Sequence, residues 1–154
     1  MTKNYNYFSI LIVFLLFNAC ATHKAQYKEE TAKLAERPNK EIEKVFYLLG
    51  DAGKSPQGGM SKALTAFNNH IKDRDTKNDY AIFLGDNIYP SGLPAKDEEG
   101  RAEAENALEG QIKSVKDFKG EVLFIPGNHD WYTDGINGLK RQEKYIEEAL
   151  GKNT

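Results

Sequence analysis

Three short, mostly apolar runs, each followed at once by a turn and a polar side chain, constrain the fold of this chain more than any other feature. They are residues 45–49, 80–84 and 121–125. Asp51 and Asp86 follow the first two runs after one glycine each, and Asn128 follows the third after a Pro-Gly pair. Continuous apolar runs of about five residues, bounded by Gly or Pro, are typical of strands buried on both faces of a parallel sheet.

Helical patterns separate these runs. Apolar residues recur at helical spacing in three stripes, which are Met60, Leu64, Phe67 and Ile71; Leu108, Ile112, Val115 and Phe118; and, after Gly135, Leu139, Ile146 and Leu150. Alternation of strand and helix implies parallel strands joined by right-handed crossovers. We therefore predict an α/β fold, a parallel βαβαβα unit that begins at residue 45.

The polar side chains after the strands are predicted to meet. Because the carboxyl ends of parallel strands share one edge of a sheet, we expect Asp51, Asp86 and the segment Asn128-His129-Asp130 to converge there. Carboxylate, amide and imidazole groups without thiolates suit Mn, Fe(III), Mg or Zn. A carboxylate that bridges two such ions builds a site that can cleave phosphoesters. The pattern therefore predicts a metal centre at this edge.

The first 19 residues predict an export signal rather than part of the fold. Residues 8–17 are apolar except for Ser9 and as a helix would rise about 15 Å, roughly half the hydrocarbon core of a bilayer, as in a signal peptide. Ala19-Cys20 follows and resembles a bacterial lipobox. It predicts cleavage after residue 19, a lipid on Cys20 and attachment to a membrane of the cell envelope, on its periplasmic or surface side. A plain signal peptide, or an uncleaved anchor with Cys20 incidental, is the alternative.

Residues 20–44 are expected to form a polar tether between that membrane and a domain at residues 45–154. Charged side chains make up about half of the segment 24–44, and such a composition cannot bury much apolar surface. The whole chain has a formal net charge of −2 and 40% hydrophobic residues. These values fit a globular domain and exclude a broad surface for phosphate backbones, so no nucleic-acid partner is predicted.

The motifs that follow the strands resemble those of a known family. Gly50-Asp51-Ala52-Gly53, Gly85-Asp86-Asn87-Ile88-Tyr89 and Gly127-Asn128-His129-Asp130 are similar to the first three motifs of the calcineurin-like metallophosphoesterases. Two features resemble the purple acid phosphatase branch of that family. Glycine stands two positions after Asp51, where the family usually has histidine, and Tyr89 stands three positions after Asp86. The resemblance covers residues 45 to about 140. It implies the amino-terminal half of an αββα sandwich.

The resemblance also implies a cofactor and its ligands. It implies two metal ions, iron with Fe, Zn or Mn, and a phosphoester as substrate. Asp51 and Tyr89 would bind the first ion. Asp86 would bridge both ions, and Asn128 would bind the second.

The histidine of the third motif would act on the substrate rather than bind metal. By resemblance, His129 would stabilise the phosphoryl transition state and help to protonate the leaving oxygen, a role that suits an imidazole. Asp130 would orient His129 or its loop. Trp131 and Tyr132 could either line the mouth of the site or pack beside the end of the strand, and both interpretations stay open.

The family also has later ligands, a lone His and a Gly-His-x-His motif, that this sequence does not supply. Its three histidines are His23 in the tether, His70 on the first predicted helix, and His129. We therefore expect a partial domain, truncated before its carboxy-terminal half, with weak metal binding and little or no turnover. A non-catalytic surface lipoprotein module that uses the same scaffold for binding is the alternative function.

A nucleotide-binding P-loop is not predicted. Gly53-Lys54-Ser55 follows a strand and is similar to the end of that motif, which needs another glycine five positions before the second one. Leu48 occupies that position.

Overall fold

The computed structural model describes residues 41–154. The signal predicted at residues 1–19, Cys20 and the tether up to residue 40 lie outside the described residues. The elements are, in chain order, β1 (Phe46–Leu49), α1 (Lys62–Ile71), β2 (Tyr80–Phe83), α2 (Arg101–Val115), β3 (Glu121–Phe124), a single 3-10 turn at His129–Trp131 and α3 (Gly135–Leu150). Over the same residues, no helix has the length and apolar character needed to cross a membrane.

The strands form one parallel sheet. Their order is β1-β2-β3, and Phe46, Tyr80 and Glu121 lie side by side at the first position of the three strands. The carboxyl ends of all three strands therefore reach the same edge. The predicted α/β fold with a parallel βαβαβα unit is confirmed.

Local sequence signals set the ends of the helices. α1 begins after Ser61, whose hydroxyl oxygen accepts a hydrogen bond from the backbone N–H of Leu64 at 3.3 Å. This bond satisfies one of the N–H groups that a helix start leaves unpaired. α3 ends before Gly151, which has a left-handed φ of 66° and donates its N–H to the carbonyl of Glu147 at 2.8 Å. Such a glycine is a common way to end a helix.

The helices cover one face of the sheet. The main core cluster joins α1, the end of α2 and the segment after it to that face, and consists of Leu64, Ile71, Ala81, Phe83, Val115, Phe118 and Val122. A second cluster joins α2 and α3 to the loop after β2, and consists of Ile88, Leu93, Ala104, Leu108, Ile112 and Ile146. Burial of each large apolar side chain is worth about 1.5–3 kcal/mol. The second cluster therefore fixes the loop that carries Asp86 and Tyr89.

The opposite face of the sheet is open over residues 41–154, so the expectation that the strands are buried on both faces was wrong. Phe46 is 57% exposed, Leu48 63% and Leu123 40%. The strand order explains the result. Crossovers of one hand between neighbours in the order β1-β2-β3 place every connecting helix on the same face.

Candidate metal centre

The backbone adopts the same conformation directly after β1 and after β2. Asp51 and Asp86 each follow a glycine and adopt left-handed conformations, with φ of 53° and 52°. Aspartate tolerates this region better than most residues, but a non-glycine residue held there still costs free energy and marks a candidate functional position. The two carboxylates thus leave their strands in equivalent geometry at the predicted edge.

Tyr89 links the two carboxylates. Its hydroxyl donates to Asp51 Oδ1 at 2.6 Å and lies 2.9 Å from Asp86 Oδ2. These two hydrogen bonds, with the one to Asp51 first, raise the pKa of Tyr89 above its ordinary value, because the carboxylates favour the protonated phenol. Two carboxylates and one phenol therefore form a single group that is open to solvent.

The loop after β3 joins this group through its backbone. The N–H of His129 donates to Asp86 Oδ1 at 3.2 Å, so both oxygens of Asp86 are engaged by other parts of the site. Asn128 precedes that contact by one residue. The loops that follow all three strands therefore meet at Asp86, as the strand topology predicts.

Two glycines allow this close approach. A Cβ atom at Gly127 would meet the backbone nitrogen and the carboxylate of Asp86. A Cβ atom at Gly53 would meet the carbonyl oxygen of Asp86 and would lie 2.7 Å from the nitrogen of Ile88. Gly53 also donates to the Asp86 carbonyl at 3.0 Å and accepts from the N–H of Tyr89 at 3.1 Å. Only glycine fits where the three loops touch.

Asp130 holds the loops rather than the imidazole. It is fully buried, and its carboxylate accepts hydrogen bonds from the backbone N–H groups of Gly127 at 2.7 Å, Asn87 at 3.1 Å and Ile88 at 3.1 Å. Burial raises the pKa of Asp130, and the hydrogen bonds from Gly127, Asn87 and Ile88 oppose that shift. Of the two roles expected for Asp130, its contacts correspond to fixing the loop.

Two further residues that the sequence interpretation missed support these loops. Asn87 is fully buried and donates from Nδ2 to the carbonyl of Ile125 at 2.9 Å and to Asp130 at 3.3 Å. Gln111, also fully buried, donates from Nε2 to the Asn87 carbonyl at 2.7 Å. A polar Gln111 among the apolar positions of α2 was the available signal, because a buried amide needs partners.

His129 faces a backbone carbonyl. Its Nδ1 lies 2.6 Å from the carbonyl oxygen of Pro90. A carbonyl can only accept, so Nδ1 carries the hydrogen and Nε2 is the nitrogen that can exchange a proton. The ring also lies 4.6 Å from that of Tyr89, centroid to centroid. The imidazole is therefore held beside the phenol that joins the carboxylates.

Asn128 and its aromatic neighbours lie at the surface. Asn128 donates from Nδ2 to the hydroxyl of Tyr132 at 2.6 Å, which leaves Oδ1 as its possible ligand atom. Tyr132 is 60% exposed and its ring lies 4.9 Å from that of His129, whereas Trp131 is 46% exposed. Of the two interpretations left open, Tyr132 fits the mouth of the site. His70, by contrast, lies on α1 against the ring of Tyr47.

The donors brought together are oxygen atoms that suit a hard or borderline cation. The carboxylates of Asp51 and Asp86 and the phenol of Tyr89 lie within hydrogen-bonding distance of one another, and the amide oxygen of Asn128, on the neighbouring loop, is the further candidate; such a set fits Mn, Fe(III), Mg or Zn. Within residues 41–154, no group of three or more His, Cys, Asp or Glu side chains is placed to hold a metal ion. The small number of ionic ligands is the reason that we expect weak binding.

The candidate site lies within a region that matches a known protein family. The family model described as calcineurin-like phosphoesterase matches residues 44–153, which is most of the chain and includes all three motifs. No curated protein and no solved structure matches the chain.

Proposed function

This chain belongs to the calcineurin-like phosphoesterase family, and from that membership and the geometry of its site we propose that it contributes a metal centre for hydrolysis of phosphoric esters. The centre would be of the purple acid phosphatase type, in which Asp51 and Tyr89 would hold iron. Asp86 would be shared with a second ion, Fe, Zn or Mn, which Asn128 would also bind.

This proposal rests on one observation: a single phenol lies between two carboxylates. Tyr89 contacts both Asp51 and Asp86 at hydrogen-bonding distance. The single hydroxyl proton cannot neutralise two negative charges at this separation, and like charges so close repel each other. A cation bound among the three oxygens would remove that repulsion, which favours a metal site over a structural turn.

The residues around the centre have separate tasks in hydrolysis. When bound, the metal pair would supply Lewis acidity toward the phosphoryl oxygens and offset the negative charge of the transition state. His129, with Nδ1–H donating to Pro90, presents Nε2 to the substrate and in its protonated form gives a proton to the leaving oxygen. Asp130 keeps the His129 loop against Asp86.

Iron binding tests the assignment of Tyr89. We expect Fe(III) added to the 154-residue chain to give a visible phenolate-to-iron absorption band. Tyr89→Phe should abolish the band. Tyr132→Phe is the matched control, because Tyr132 is a neighbouring phenol outside the carboxylate pair, and should retain it. Bound iron without a band, or a band unchanged in Tyr89→Phe, would show that the purple acid phosphatase assignment is wrong.

Catalysis is tested separately with a generic aryl phosphate and the Asp86→Ala variant. We expect slow, metal-dependent hydrolysis that Asp86→Ala removes. The small ligand set within residues 41–154 favours one other function, a non-catalytic binding module on this scaffold. Metal binding without any metal-dependent hydrolysis would favour that module.

We also propose that the protein is exported and anchored to a membrane of the cell envelope through a lipid on Cys20. The apolar run at 8–17 and the position of Cys20 directly after it support this proposal. Expressed in a bacterium and labelled with a radioactive fatty acid, the chain should carry label and fractionate with membranes, and Cys20→Ala should do neither. A Cys20→Ala variant that stays in the membrane fraction would instead indicate an uncleaved anchor.

A further inference from the structure

A cleft of about 490 Å³ opens beside the candidate metal centre. The loop after β1 lines it with Gly53, Lys54, Ser55 and Gln57, and the first half of α2 lines it with Ala102, Glu103, Asn106 and Ala107. Tyr89 and Pro90 also line it. Its volume is within the range of small-molecule sites. Because Tyr89 belongs to both the cleft and the carboxylate group, a molecule bound at that group has this space next to it.

Hydrogen bonds hold the loop after β1 and α2 together. Asn106 of α2 donates from Nδ2 to the carbonyl of Ser55 at 3.0 Å and accepts at Oδ1 from the N–H of Gly58 at 2.7 Å. Lys113 donates to the carbonyl of Gly58 at 3.0 Å. The backbone of Gly53 is hydrogen-bonded to Asp86 and Tyr89 in the loop after β2. The cleft is therefore a formed site and not a gap between independent loops.

The cleft carries one positive and one negative side chain. Lys54, in the loop after β1, and Glu103, on α2, are both exposed and line the cleft. Among residues 41–154, the ion pairs formed are Arg101–Glu105, Arg141–Asp134 and Lys144–Glu148, so neither Lys54 nor Glu103 is neutralised by a described partner. Both charges are available to a bound molecule.

We propose that this cleft receives the organic part of the phosphoester and selects one with a zwitterionic group, whose anion faces Lys54 and whose cation faces Glu103. This inference rests on the proposed phosphoesterase function and names its substrate class, phosphoesters that carry an amino-acid-like moiety. The phosphoryl group lies at Asp51, Asp86 and Tyr89, and the organic part extends past Tyr89 into the cleft.

The test compares two aryl phosphates that differ only in this moiety. Binding of phenyl phosphate and O-phosphotyrosine to the Zn²⁺-loaded chain is measured by calorimetry, and amide NMR shifts locate the contacts. Each exposed ion pair is worth a small free energy, so O-phosphotyrosine should bind about three- to fivefold more tightly than phenyl phosphate. It should also shift the amide signals of Lys54 and Asn106.

Two substitutions separate the charges. Lys54→Met and Glu103→Gln should each reduce the preference for O-phosphotyrosine by about twofold and leave the affinity for phenyl phosphate unchanged. Lys116→Met, at the far end of α2 and outside the cleft, is the matched control and should preserve the preference. Since all three side chains are exposed, the variants are expected to fold normally.

The possible failures are distinguishable. Equal affinity for the two ligands, or a preference that Lys54→Met and Glu103→Gln leave intact, would overturn the role of the cleft and leave the phosphoesterase proposal standing. If neither phenyl phosphate nor O-phosphotyrosine bound, both the proposed function and this inference would be overturned.

Discussion

Removal of the buried Asp130 carboxylate should destabilise the protein strongly. In Asp130→Ala, the backbone N–H groups of Gly127, Asn87 and Ile88 lose their acceptor. A buried donor left unpaired costs about 1–3 kcal/mol. Three such groups, with some relief from water that enters the space of the side chain, give an expected loss of about 3–5 kcal/mol in the free energy of unfolding.

The desolvation of the carboxylate itself does not cancel this loss. Burial raises the pKa of Asp130, so the ionised group is costly to keep inside and its removal recovers part of that cost. The donors, however, belong to loops that meet at Asp86 and stay buried, so the larger penalty falls on them. A domain of this size is stable by only about 5–15 kcal/mol, and the variant should lie near the lower limit of stable folding.

Urea unfolding followed by far-UV circular dichroism measures the loss. Asp117→Ala is the matched control, since Asp117 is an exposed aspartate after α2 and its substitution should change stability by less than about 0.5 kcal/mol. If Asp130→Ala lost less than about 1 kcal/mol, or no more than the control, Asp130 would not be the acceptor on which the three loops depend.

Three further predictions concern other parts of the molecule. Gly127→Ala should weaken Zn²⁺ binding at least tenfold, about 1.4 kcal/mol, because its Cβ would displace the Asp86 carboxylate; Gly50→Ala, where a Cβ meets nothing, should bind normally in the same titration. Burial, and next the hydrogen bond to Glu109, raise the pKa of Tyr145 above its value in the unfolded chain. The stabilising contribution of Tyr145 is therefore complete below about pH 10 and declines as the pH rises further. In thermal unfolding, Tyr145→Phe should lose less stability at alkaline pH than the unsubstituted protein, and an identical decline in both proteins would contradict the role of Tyr145. The double substitution of Leu48 and Leu123 by Ser should reduce binding of an apolar fluorescent dye to the 154-residue chain with little change in stability, since the two side chains are 63% and 40% exposed. Unchanged dye binding would mean that the dye does not bind the open sheet face.

Local sequence pattern was sufficient to predict the elements and to single out candidate ligands. The apolar runs and helical stripes predicted three strands and three helices in their observed order, because periodicity reflects which side chains a single element must bury. The position of Asp51 and Asp86 after their strands predicted a common edge, because parallel strands end together. The family match at residues 44–153 agrees with the motifs that suggested it.

Only the tertiary structure decided how the parts of the site hold each other. Tyr89 lies 38 residues from Asp51 in sequence, and Asp130 lies 43 residues from Asn87, so no local pattern specifies these hydrogen bonds. The carbonyl partner of His129 and the cleft at Lys54 arise likewise from segments that are distant in sequence. The open sheet face had the same origin: apolar runs show that side chains prefer burial, whereas strand order and the hand of the crossovers determine which face the helices of this chain can cover.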